Sequence, residues 1–141
     1  MKQRYLGLDL GTKTLGVAIS DATNSLVFPK LTIKFSHEDY DDAINKLKPI
    51  INDNYITDVV IGMPINMDGS YGFASDRTKR FIPKLEECNV VVHTVDERLT
   101  SIESERILRD CNIRGKDLKN KVDMQSACLI LESYLRSNSE K

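Results

Sequence analysis

Three acidic positions carry the chemistry this sequence could perform. Asp9 lies in LGLDLGTKTLGVAISD (6–21), a stretch that otherwise reads as buried strand, with Gly7 and Gly11 on either side of it. Asp96 and Glu97 open DERLT (96–100), directly after the β-branched run VVVHTV (90–95). Asp123 follows Lys119 and Lys121 and opens an apolar helical pattern. Each acid has an ordinary reading: a turn former for Asp9, a loop acid or helix-dipole partner for Asp96 and Glu97, an N-cap for Asp123. Together they say more. A lone carboxylate in apolar surroundings is costly unless paired or bound to metal. Three carboxylates at the ends of three elements, with no Cys or His cluster, suit hard cations, Mg2+ or Mn2+. Two such ions about 4 Å apart activate a water and stabilise the leaving oxygen of a phosphodiester. Gly7 and Gly11 would let substrate backbone or a neighbouring strand come close.

Basic residues lie near these acids in sequence. Arg114, Lys116, Lys119 and Lys121 fall in a polar loop that precedes Asp123, with only Asp117 against them. Thr12 and Lys13, in the first hairpin, could meet phosphate oxygens. Arg77, Lys79, Arg80 and Lys84 form a second basic run on a helix. Each run also reads as a solvated face, and phosphate contacts of this kind position a substrate without reading its sequence. Tyr71 and Phe73 could stack on a base or, as the favoured reading, anchor their loop to the core. His37, in a helix-entry loop, and His93, among valines in mid-strand, read as structural.

The elements that must position these groups follow from periodicity. Residues 5–10, 15–20 and 26–35 read as strands, with Gly11–Thr14 a hairpin connection. Pro29 points to an edge strand or a bulge. Tyr40, Ile44, Leu47 and Ile51 recur at helical spacing, Ser36 with Asp39 resembles a capping arrangement, and Pro49 should kink the helix near its end. TDVVIGMP (57–64) is a buried strand leading into a loop at 66–72. Ala74, Thr78, Phe81, Leu85 and Cys88 mark a second helix, and 90–95 a further buried strand. Thr100 with Glu103 fits a capping box opening a third helix, and Met124, Ala127, Cys128, Leu131, Tyr134 and Leu135 give the clearest helical stripe. The order β-β-β-α-β-α-β-α-α implies an α/β fold: a mixed five-stranded sheet with helices on its faces.

Composition sets the bounds. The 141 residues suit one domain, 1–141, with 137–141 frayed. Twenty basic against 21 acidic residues give a net charge of −1, so nucleic-acid binding must come from a local patch. Cys88, Cys111 and Cys128 form no CxxC pair and read as small buried hydrophobes of helices. The apolar run after Lys2 and Arg4 is broken at Asp9, which is unlike a signal peptide, and no run is long enough to span a membrane. The expected location is the cytoplasm.

Four stretches, GLDLGTKTLGVAISD, VVIGMPINMDGS, DERLT and KVDMQSACLILESYL, closely resemble the YqgF/RuvX family in order and spacing. The resemblance covers nearly the whole chain. It implies an RNase H-like fold, like that of Holliday-junction resolvases, and a nuclease for the 5′ end of pre-16S rRNA that acts with bound divalent metal. It implies Asp9, Glu97 and Asp123 as the catalytic, metal-holding triad, with Asp96 the alternative to Glu97. Two departures stand out. Many members have Lys-Arg-Ile where this chain has Lys13, Thr14 and Leu15, so a second basic contact is missing there. The last motif often reads Asp-Ser-Leu-Ala-Ala, whereas Met124 and Gln125 follow Asp123 here, with Ala127 kept.

The leading expectation is a metal-dependent endonuclease on structured nucleic acid, an rRNA precursor first, with ribosome or transcription machinery as further partners. A Holliday-junction resolvase acting on branched DNA is the alternative, and it needs two active sites and hence a dimer. Neither RNA against DNA nor monomer against dimer is decided by the residues. From another class, DLGTK also resembles the phosphate-loop hairpin of sugar kinases and actin, so a non-catalytic phosphate- or nucleotide-binding module is a third reading. An interaction domain with vestigial acids is a fourth, opposed by the three matching acids.

Overall fold

The computed structural model describes residues 3–21, 23–24, 26–64, 72–96 and 115–139, with the backbone alone for 73, 74, 96, 115–123, 138 and 139. Strands β1 (Tyr5–Leu10), β2 (Thr14–Ser20) and β3 (Val27–Lys34) are followed by α1 (Tyr40–Asp53), β4 (Asp58–Met63), α2 (Phe73–Glu86), β5 (Val91–Asp96) and α3 (Gly115–Ser139). The five strands form one mixed sheet in the order β3-β2-β1-β4-β5. β1 pairs antiparallel with β2 and parallel with β4, and β4 pairs parallel with β5. The C-terminal ends of β1, β4 and β5 therefore share one edge of the sheet, where such folds gather their sites. The expected third helix, opened by Thr100 and Glu103, and the 66–72 loop (but for Gly72) lie outside the described residues.

Alternation divides the two faces. Leu6, Leu8, Leu15, Val17, Val59 and Ile61 are fully buried in a core with Leu47 of α1 and Phe81 and Leu85 of α2. Each such side chain contributes roughly 1.5–3 kcal/mol over leaving it in water. The opposite face carries Tyr5, Gly7 and Val60 and meets α3 through Ala127, Ile130 and Leu131. Glycine is needed at position 7. A Cβ there would stand 2.7 Å from the Ala127 carbonyl oxygen and 2.8 Å from the Leu131 Cβ. The close approach allowed by Gly7 is thus that of a helix, not of substrate or another strand. Ala18, the register partner of Gly7 on β2, packs with Ala127 and Cys128, so small residues on both sides bring α3 down onto the sheet.

Several expectations hold in detail. Gly11 N–H donates to the Thr14 carbonyl at 2.7 Å, closing the first hairpin. β3 is an edge strand, and its register against β2 shifts where Pro29 lies opposite Ala18. Others are corrected. Asp39, not Ser36, caps α1 by accepting from the Asp42 N–H. Cys88 lies beyond the end of α2 and is half-buried. β5 is the other edge strand, so its Val91 and Thr94 are exposed where a buried strand was expected. The expected polar loop before Asp123 is helical from Gly115 onward. Helix propensity of Lys, Leu and Asp117's neighbours outweighs polarity there, and polarity alone does not distinguish a solvated helix from a loop.

Gly7→Val should lower stability by about 2 kcal/mol, because added volume at a close-packed contact forces the backbone of α3 to move. Urea unfolding checks this. An unchanged midpoint would mean that α3 is not seated on Gly7.

Candidate active site

Asp9 is the penultimate residue of β1 and is half-buried at the shared C-terminal edge. Alternation gives it the face of Tyr5 and Gly7, the face that α3 crosses. Two contacts fix how α3 runs over β1. Tyr5 packs on Tyr134 with ring centroids 5.8 Å apart, and Gly7 meets Ala127 and Leu131. Moving along β1 toward Asp9 therefore moves along α3 toward its N-terminus. Two strand residues advance about 6.6 Å, and one helical turn about 5.4 Å. Asp9 lies two residues beyond Gly7, and position 123 lies one turn before Ala127. The backbone thus brings the Asp123 position level with Asp9.

Asp123 is the ninth residue of α3. That overturns its reading as an N-cap: a residue so far inside a helix has no orphan N–H groups of the first turn to satisfy. Asp96 ends β5, with Met63 of β4 as its register partner. Glu97 comes next in sequence and lies outside the described residues, as do Arg114 and Tyr71. Lys116, Lys119 and Lys121 fall on the first turns of α3, and Phe73 opens α2. Thr12 and Lys13 form the turn after Asp9. The Thr12 carbonyl accepts from the Glu38 N–H at 2.8 Å and the Lys13 carbonyl from the Phe35 N–H at 3.0 Å. Lys13 itself is exposed. Among the described residues no three His, Cys, Asp or Glu side chains group to hold a metal. The donor chemistry of the three acids is all oxygen and fits a hard divalent cation.

His93 has a structural role that the sequence indicated only in outline. Its Nε2 stands 2.8 Å from the Asp58 carboxylate and its Nδ1 3.1 Å from the Tyr134 hydroxyl. An ionised carboxylate only accepts, so Nε2 donates to Asp58, and Nδ1 and the Tyr134 hydroxyl share the second hydrogen bond. The Thr57 hydroxyl donates to the other Asp58 oxygen at 2.6 Å. Asp58, 3% exposed, is therefore a satisfied buried carboxylate. It begins β4, at the opposite end of the sheet from Asp9, and the network ties α3 to β4 and β5. Sequence reasoning missed it, since Asp58 looks like an ordinary strand-start acid. Asp58→Asn should cost about 2 kcal/mol of stability while cleavage per folded molecule stays at the wild-type level. A variant that lost activity without losing stability would contradict the structural assignment.

Cys128 is buried against Ala18 and Ala127, and burial pushes its thiol up to about 12. Below the ordinary thiol value of 9 the group is neutral whether the chain is folded or not. Above it the unfolded chain ionises first, so the thiol's contribution to stability is lost as pH rises from about 9 through about 12. Stability measured over that range should fall less steeply in Cys128→Ala than in the wild type. Equal slopes would contradict the assignment.

The fold is shared with solved structures. The chain is similar to RuvC of T. thermophilus in complex with a Holliday junction substrate, with a TM-score of 0.60 and 11% identity over 97% of each chain. It is also similar to the Fowlpox virus resolvase, with a TM-score of 0.55 and 16% identity over 96% of this chain and 99% of that one. These likenesses define an RNase H-like α/β fold. Closer relatives narrow it. A protein of Shouchella clausii named "Putative pre-16S rRNA nuclease" is 41% identical over 137 residues, 96% of each chain. A protein of Lactococcus lactis subsp. cremoris with the same name is 37% identical over 142 residues, covering 100% of this chain and 99% of its own. The RuvX family, described as Holliday junction resolvase, matches residues 3–137, and the chain belongs to it. It is a nuclease, a hydrolase whose substrate is nucleic acid. Among the described residues no helix is long and apolar enough to cross a membrane.

Proposed function

We propose that this chain is a metal-dependent endonuclease that processes the 5′ end of pre-16S rRNA, with Asp9, Glu97 and Asp123 as its catalytic carboxylates. The observation that carries the reading is the packing of α3 on Gly7, which brings position 123 level with Asp9 at the C-terminal edge of the sheet. His93 and Val95 share the α3 face of β5, which puts Asp96 at a position of the opposite parity, and the resemblance to the family names Glu97 as the third acid. The substrate follows the names of the 36–41% identical relatives.

The three carboxylates would hold Mg2+ or Mn2+, one ion or a pair. A divalent cation bound there supplies activation of the attacking water and neutralisation of charge on the phosphodiester. The chain's own groups position the substrate. Lys116 and Lys119 lie seven and four positions before Asp123, on one helical stripe with it, and Lys121 stands between them and the acid. Phosphates held by these lysines, by Arg114 and by the Thr12–Lys13 turn place the scissile bond at Asp9 and Asp123. The likeness to RuvC favours one second reading, cleavage of branched DNA. Incubating the protein with pre-16S rRNA and with a four-way DNA junction, with and without Mn2+, separates the two by their products.

Asp9→Asn should abolish cleavage, a loss beyond the 10–100-fold that removal of an outer-shell metal partner costs. Asn is nearly isosteric, so thermal melting without metal should match the wild type. A purely structural Asp9 predicts the reverse, lost stability with activity kept in whatever stays folded. Cleavage by Asp9→Asn at the wild-type rate would end the carboxylate reading. Replacing Lys116 and Lys119 with Ala should weaken nucleic-acid binding and lower its logarithmic salt slope by about 1.4, for two contacts to a single strand. Unchanged affinity and slope would make the first turns of α3 merely a solvated helix.

A further inference from the structure

A second group of cations stands beside the turn that follows Asp9. The segment 35–38 is fastened to that turn by the Thr12–Glu38 and Lys13–Phe35 backbone hydrogen bonds. Across from it, α2 contributes Arg77 and Arg80, and with His37, Glu38 and Asp76 they line a groove of about 650 Å3. Glu38 has a φ of 56°, a conformation that a β-carbon disfavours, and its bond to Thr12 holds it there. Its carboxylate accepts from the Arg80 guanidinium at 3.2 Å and stands 3.7 Å from His37 Nδ1. Arg77 forms no ion pair among the described residues, and neither does Lys13. The Tyr40 hydroxyl is buried without a hydrogen-bond partner among the described residues. Burial pushes its pKa up and Glu38 adds to this, while Arg77 and Arg80 oppose it, so all three charges act on that hydroxyl.

We propose that this groove is a phosphate-binding subsite for the nucleic-acid backbone, built from Arg77, Arg80 and His37, in which the Glu38 carboxylate occupies Arg80 until a substrate phosphate displaces it. The proposal rests on the nuclease reading above and adds where a further stretch of the substrate lies. Three features argue for it. A guanidinium binds phosphate as well as carboxylate, and the single Glu38–Arg80 contact at 3.2 Å marks a place where an anionic oxygen sits against Arg80. That pair is largely exposed and adds little to stability, which leaves it free to exchange. The Thr12–Lys13 turn, three residues from Asp9, lies directly against the 35–38 segment, so a strand leaving the carboxylates along this turn meets the groove next. Lys84 pairs instead with Asp41 at 2.6 Å and does not line the groove.

Fluorescence anisotropy with a fluorescein-labelled RNA oligonucleotide tests this, in an Asp9→Asn parent so that the probe stays intact. Arg77→Ala with Arg80→Ala should weaken binding about tenfold and lower the logarithmic salt slope by about 1.4. Glu38→Gln should tighten binding about threefold by removing the competing charge, whereas Lys84→Ala should change it by less than about twofold. If the alanine pair lowers the melting temperature, Arg77→Gln with Arg80→Gln replaces it. Parent-like affinity and slope in the folded double variant, or weaker binding by Glu38→Gln, would overturn the groove and leave the nuclease reading intact. A parent that binds no RNA at all would overturn both.

Discussion

A single missing side chain governs the geometry of this protein. With no Cβ at Gly7, the Ala127 carbonyl and the Leu131 side chain settle directly on β1. Ala18, opposite Gly7 on β2, continues the same shallow surface beneath Ala127 and Cys128. Protein interiors are close-packed, so a helix that approaches this closely has little freedom to slide. Where α3 lies relative to the C-terminal edge of the sheet follows from this contact.

A second anchor turns that point into a line. At the far end of the sheet, Tyr134 of α3 is held by His93, and His93 by the buried Asp58. Tyr5, at the start of β1, packs against Tyr134 on the same side. One end of α3 is thus fixed by a satisfied polar network and its middle by small-residue packing. From Ala127 toward its N-terminus, α3 therefore runs in the direction of the edge where Asp9 lies. A buried polar network of this kind specifies one arrangement rather than adding much net stability. Here that arrangement is the direction of α3, which decides which of its residues come level with Asp9.

The sheet was legible in the sequence because its residues obey simple periods. Leu6, Leu8, Val17 and Ile19 alternate, and Tyr40, Ile44, Leu47 and Ile51 repeat with a helical period. Pro29 correctly marked an edge and an irregular register, since proline cannot serve a central ladder. The start of α3 was not legible. Residues 115–122 are mostly polar, and Leu118 and Val122 alone are too few to reveal a helix by periodicity. The same gap made Asp123 look like a cap. β5 looked buried because valines dominate it, but its place at an edge is set by strand order, a long-range property. Of the candidate site, Asp9 stood out as a carboxylate within an apolar strand, and Asp123 as the acid of a stretch that resembles the family's last motif. Of the groove beside Glu38 only the basic run on α2 was legible; that His37 and Glu38 complete it was not, because the two segments lie some forty residues apart in sequence.

The central claim is that the seat of α3 on Gly7 brings Asp9 and Asp123 into one cation site. Mn2+ binding followed by electron paramagnetic resonance, on the wild type and on Asp9→Asn, Asp123→Asn and Gly7→Ala, tests it most directly. The account predicts that each acid variant loses the tight Mn2+ site and that Gly7→Ala weakens it without touching a ligand. Mn2+ affinity equal to the wild type in Asp123→Asn, with Asp9→Asn impaired, would show that the helix does not deliver its acid to Asp9 and would contradict the account.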